Sequence, residues 1–199
     1  MAPENEKSLE RVERWFIVVL TLWAVFAFVA AASGAISKVP RLVLGPLLLT
    51  ETIIPILVYY RSGTFRAYIS SIDLKHLTIF HLWRLLAGFT FVSYGIRHLL
   101  PETFVHIAGF GDIIVGVLVP IILVLPNGIR KYVVFHVIGL LDFILALGTG
   151  ITLTVAREPL IENLTTFPII MIPLLGVPVS GALHVMAIDA ALRKLRRRV

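Results

Sequence analysis

Residues 74–100 read LKHLTIFHLWRLLAGFTFVSYGIRHLL, an apolar run with Arg84 near its middle. At 1.5 Å per residue, about 20 helical residues cross the roughly 30 Å hydrocarbon core of a bilayer, so the run is long enough to span a membrane. Within it His81, Arg84, Gly88, Phe91, Gly95 and His98 alternate at spacings of three and four, which places them on one helical face. A guanidinium in hydrocarbon costs at least about 2.5 kcal/mol, so it persists only where it meets protein, water or a partner charge. The stripe predicts a polar interior inside a bundle of membrane helices.

The rest of the chain supports that bundle. Of 199 residues, 58% are hydrophobic and 15% charged, with a mean hydropathy of +0.93, well above a soluble domain. Six segments, roughly 15–36, 40–60, 78–98, 107–125, 132–155 and 167–190, have the length and composition of transmembrane helices. Prolines punctuate them: Pro40, Pro101, Pro126 and Pro168 fall at joints, and Pro55, Pro120, Pro173 and Pro178 fall inside spans. The fold class is all-α, a polytopic bundle of six transmembrane helices. The longest polar interruptions, about 61–73 and 156–166, are far below domain size, so residues 1–199 form a single transmembrane domain. Thr64 to Leu77, with apolar residues among Arg66, Asp73 and Lys75, is expected to lie along the interface. The first span is too long for a typical signal-peptide core and is read as a retained anchor.

Charge sets the expected orientation. The net charge is +6, and five of the eighteen basic residues sit in the tail Arg193, Lys194, Arg196, Arg197 and Arg198. Directly after an apolar helix, such a cluster is a topology anchor at an anionic cytoplasmic leaflet, not a nucleic-acid surface. Lys7, Arg11, Arg14, Arg61, Arg66, Lys75, Arg130 and Lys131 fall on the same side as the tail; only Lys38, Arg41, Arg97 and Arg157 fall opposite. The positive-inside rule therefore puts both termini in the cytoplasm of a cell membrane, with a bacterial inner membrane the expected setting. With no cysteine in the chain, disulfides, thiolate metal sites and cysteine nucleophiles are excluded.

The candidate ligand-binding residues are the ionisable groups inside the spans: Arg84, Asp142, Glu51, His184 and Asp112. Counting along the spans puts Glu51 and Asp142 near the midplane, Arg84, His136 and His184 in the cytoplasmic half, and Asp112, His98 and His106 in the outer half. Two polar layers are expected. Small residues share their faces, as in Gly109, Asp112, Gly116 and in Gly139, Asp142, Ala146, which marks these faces as interhelical seams.

The blocks His81-Leu-Trp-Arg84-Leu-Leu-Ala-Gly88, Ala108-Gly-Phe-Gly-Asp112-Ile-Ile-Val-Gly116, Gly139-Leu-Leu-Asp142-Phe and Pro173 to Pro178 with His184 resemble a group of small, uncharacterised multi-pass bacterial membrane proteins. The resemblance runs from about Leu74 to His184. It implies membrane architecture and puts weight on Arg84, Asp112, Asp142 and His184, but implies no reaction. In that group Asn tends to stand at the place of His136, so the resemblance counts against His136 as an indispensable ligand.

Four functions fit these residues. The first is binding or transport of a small molecule, ion or proton in a pocket walled by Arg84, Asp142, Glu51 and His184, where a homo-oligomer would offset the small size of six helices. The second is a b-type cytochrome with haem held by His136 and His184. The third is an enzyme using His184 with Asp142 as acid and base, although no serine elbow, HExxH or phosphate-binding glycine loop is present. The fourth is an accessory subunit without chemistry of its own.

Overall fold

The computed structural model describes residues 3–126 and 128–197. Its elements are α1 (Pro3–Ala32), α2 (Arg41–Arg61), the short α3 (Gly63–Ser71), α4 (Leu74–Ile96), α5 (Glu102–Val124), α6 (Ile129–Val155) and α7 (Ile172–Arg196). All but α3 are long and apolar enough to cross a membrane, which makes this a multi-pass architecture. There is no strand among the described residues. Arg198 of the basic tail lies outside them.

Helix ends follow local chemistry. Pro40 and Pro101 stand immediately before α2 and α5, where a fixed φ and a missing donor cost nothing. Ser62 starts α3 by accepting from the Phe65 amide at 3.1 Å, and Asp73 starts α4 by accepting from the Lys75 amide at 2.9 Å. That second cap corrects the expected amphipathic segment: the helix breaks at Ile72 and Asp73, and Leu77 belongs to α4. The last span also starts later than 167, because Phe167–Ile170 form turns ahead of α7.

Three of the spans contain irregular turns. A 3-10 turn, Phe80–Leu82, lies inside α4. One π turn, Val105–Gly109, precedes Asp112 in α5, and another, Ile172–Gly176, opens α7. Such π turns are rare and often adjoin functional sites.

The most enclosed helix is α7, with Ser180, Gly181, Ala182, His184, Met186, Ala187, Ala190 and Ala191 buried. In contrast, α1 turns Leu22, Phe26 and Val29 outward, and α4 exposes Leu86 and Phe89, surfaces suited to lipid. A cluster of Tyr59, Phe65, Ile69, Leu74, Leu77 and Met186 fills the α3 end. Phe91, Leu100, Phe104, Ile161 and Ile169 fill the opposite end. Between them α4 and α5 approach closely: a Cβ on Gly88 would stand 2.6 Å from the Gly109 carbonyl oxygen.

Candidate functional site

Arg84 projects from α4 into the gap between those two clusters and is 3% exposed. Its Nε donates to Asp112 Oδ1 of α5 at 2.5 Å, and its Nη2 donates to Asp142 Oδ2 of α6. Nη1 reaches the Gly139 carbonyl and His184 Nε2, each at 3.4 Å. One guanidinium thus ties α4 to three other helices. Counted formally, one cation faces two anions, and removing the cation would leave the buried Asp112 and the partly buried Asp142 uncompensated.

The helices come this close because glycines face the polar groups. A Cβ on Gly111 would collide with the Asp142 carboxylate, and one on Gly139 with the His184 ring. Trp83, beside Arg84 on α4, donates its indole N–H to Ser180 Oγ of α7 at 3.0 Å.

From Arg84 the polar contacts continue into a group of imidazoles. His184 Nδ1 lies 3.0 Å from His136 Nδ1, and His136 Nε2 lies 3.4 Å from Thr78 Oγ1. With Arg84 donating to His184 Nε2, neutral rings satisfy this chain in one tautomeric order: His184 donates from Nδ1, and His136 donates from Nε2 to the threonine. His81 lies flat against His184, with ring centroids 3.9 Å apart and 9° between planes. Neither nitrogen of His81 has a hydrogen-bond partner, although the residue is fully buried.

A cavity of about 130 Å³ opens beside Arg84. Trp83, Arg84, Asp112 and Ser180 form its polar end, while Phe91, Phe104, Phe143, Leu147 and Leu174 give it apolar walls. Arg41 and Glu162, ion-paired at 3.2 Å and well exposed, line it at the end of the bundle away from α3.

The structure brings Arg84, Asp112, Asp142 and His184 together. It does not bring Glu51 to them: Glu51 makes none of the Arg84 contacts, and its Oε2 is buried without a partner. The two expected polar layers are one. With α4 starting at Leu74 and α5 at Glu102, Arg84 and Asp112 each lie ten residues inside their helices (84 − 74 and 112 − 102), close enough in depth for an arginine to bridge. His98 and His106 lie apart and exposed. His81 was on the sequence stripe, three residues from Arg84, but nothing in the sequence gave it a partner.

Two of the chemical alternatives can be tested on this geometry. A bis-histidine haem needs a macrocycle between its two ligating nitrogens. His136 and His184 instead meet nitrogen to nitrogen at 3.0 Å, so the pair as placed does not fit one. Asp142 Oδ2 accepts from Arg84, and no hydrogen bond joins Asp142 to His184, whose Nε2 faces Arg84 instead, so an acid–base pair of those two is not formed.

The sequence profile of a family described as Domain of unknown function (DUF8737) matches residues 43–192, which include Arg84, Asp112, Asp142 and the three buried histidines but not Arg41 at the cavity mouth. No curated protein and no solved structure matches the chain.

Proposed function

The chain belongs to this family of unknown function, and from that premise we propose that it is a membrane-embedded binding protein for a small molecule with an apolar body and one polar group. The observation that carries the proposal is the cavity that ends on Arg84, Asp112, Trp83 and Ser180. Its volume of about 130 Å³ is close to that of cavities that admit a benzene-sized guest. A mostly apolar pocket with a few convergent polar groups is the usual form of a small-molecule site.

Chemistry at the polar end favours a hydrogen-bond donor over an anion. Arg84 already has Asp112 and Asp142 as partners, whereas Asp112 gives only Oδ1 to Arg84 and keeps Oδ2 as an acceptor. A hydroxyl or amine would find that oxygen; a carboxylate would meet two acids. The exposed end at Arg41 and Glu162 offers entry from the side opposite α3. The basic residues favour a cytoplasmic α3 end, and on that orientation the ligand enters from the outer half of a cell membrane.

Tryptophan fluorescence tests this directly. In a Trp15→Phe, Trp23→Phe background, Trp83 is the one remaining indole. Benzyl alcohol and benzylamine are expected to give a saturable change in its emission and benzoate none. Gly150→Leu should abolish the change without unfolding, because a Cβ there meets only Phe104, at an ordinary 3.5 Å. Absence of any saturable signal, or an equal signal in Gly150→Leu, would end this reading.

A further inference from the structure

Away from the cavity, the imidazoles of His81, His136 and His184 carry a second inference. They come from α4, α6 and α7, are each fully buried, and offer one nitrogen apiece within 4.8 Å of one another. We propose that these three histidines bind a divalent transition-metal ion with a tetrahedral preference, of the zinc or cobalt type.

The first support is spacing. Tetrahedral zinc with Zn–N bonds of about 2.0–2.1 Å requires ligand nitrogens roughly 3.3 Å apart. His136 Nδ1 and His184 Nδ1 are 3.0 Å apart, so a small outward adjustment makes them neighbouring ligands.

Independently, His81 is fully buried with neither ring nitrogen partnered, and a buried polar atom left unsatisfied forfeits the hydrogen bond it had in water. No hydrogen bond fixes that ring, and its χ2 torsion is soft, so it can turn out of its stack on His184 and direct a lone pair at the point shared by the other two. A metal ion supplies the partner that His81 lacks.

Outer contacts and charge agree. With Nδ1 on the metal, His136 keeps its Nε2–H for Thr78 Oγ1, the kind of second hydrogen bond that orients a metal-bound imidazole. His184 gives up its 3.4 Å contact with Arg84, which retains both carboxylates. Those carboxylates leave the neighbouring centre one formal negative charge in excess, which favours a cation beside it. Ligands made only of imidazole suit zinc and its neighbours over magnesium or calcium, which take oxygen.

The test uses the full chain, purified in detergent through a histidine-free tag, stripped with chelator and loaded with Co2+. The expected result is one Co2+ per chain that survives gel filtration and shows the intense visible bands of a tetrahedral ion. His81→Phe should lose the ion yet stay folded with an unchanged or higher Tm, since a phenyl ring preserves the stack and removes two unsatisfied nitrogens. His136→Asn, with an amide in place of an imidazole, should weaken retention at least tenfold. Wild-type protein that keeps no Co2+, or His81→Phe that keeps it equally through the exposed histidines, overturns the proposal. Benzyl alcohol binding on the same preparations reports on the cavity separately, so failure of one site is distinguishable from failure of the other.

Discussion

Gly139 shows how narrowly the centre is packed, because its missing side chain is where the His184 ring lies. Gly139→Ala must push either the imidazole or helix α6, and overpacking of this kind costs about 1–3 kcal/mol. A lower Tm is expected for that variant, whereas Gly148→Ala, with open space at the same position, should melt close to wild type. Residues of this centre were legible where their presence in hydrocarbon carried a penalty: Arg84, Asp112, Asp142 and His184 each stand out in an apolar run. Glu51 stood out equally, but depth along α2 does not say which way a residue faces, and it turns away from Arg84. His81 could not be identified, since its significance lies in two nitrogens left without partners, a property of the packing and not of the sequence.

At the scale of the helix, Asp73 decides where α4 begins. Replacing it with alanine removes the acceptor for the Lys75 amide and should cost about 1 kcal/mol, readable as a Tm decrease, with Asp73→Asn close to neutral. Long apolar runs and boundary prolines made all six span-length helices legible. The π turns at Val105–Gly109 and Ile172–Gly176 were not, because Pro173 and Gly176 mark a weak point in the helix without specifying a π turn, and Val105–Gly109 has no breaker but its terminal glycine. The early starts of α4 and α5 were missed too, since His76 and Thr103 look like loop residues. Those few residues shift the depths of Arg84 and Asp112 and account for the two layers expected where the structure has one centre.

For the whole molecule, α7 is the most enclosed span and α1 and α2 the least, and the small residues Gly181, Ala182, Ala187, Ala190 and Ala191 are among those α7 buries. The basic residues concentrate toward the α3 end and favour it as the cytoplasmic one. The cysteine-free sequence makes this easy to check. In cells, Lys7→Cys should resist a membrane-impermeant maleimide and Lys38→Cys should react, and the reverse pattern would invert the assigned orientation and the proposed side of ligand entry.

Arg84, Asp112 and Asp142 form one ion cluster inside the bundle. A double-mutant cycle on thermal stability between Arg84→Met and Asp142→Leu tests it most directly. Arg84→Met alone is expected to destabilise by about 3–5 kcal/mol because it strands both carboxylates. Adding Asp142→Leu should return part of that loss, with a coupling of at least about 1 kcal/mol. Effects that simply add, within about 0.5 kcal/mol, would mean that the guanidinium and the carboxylate do not share a site.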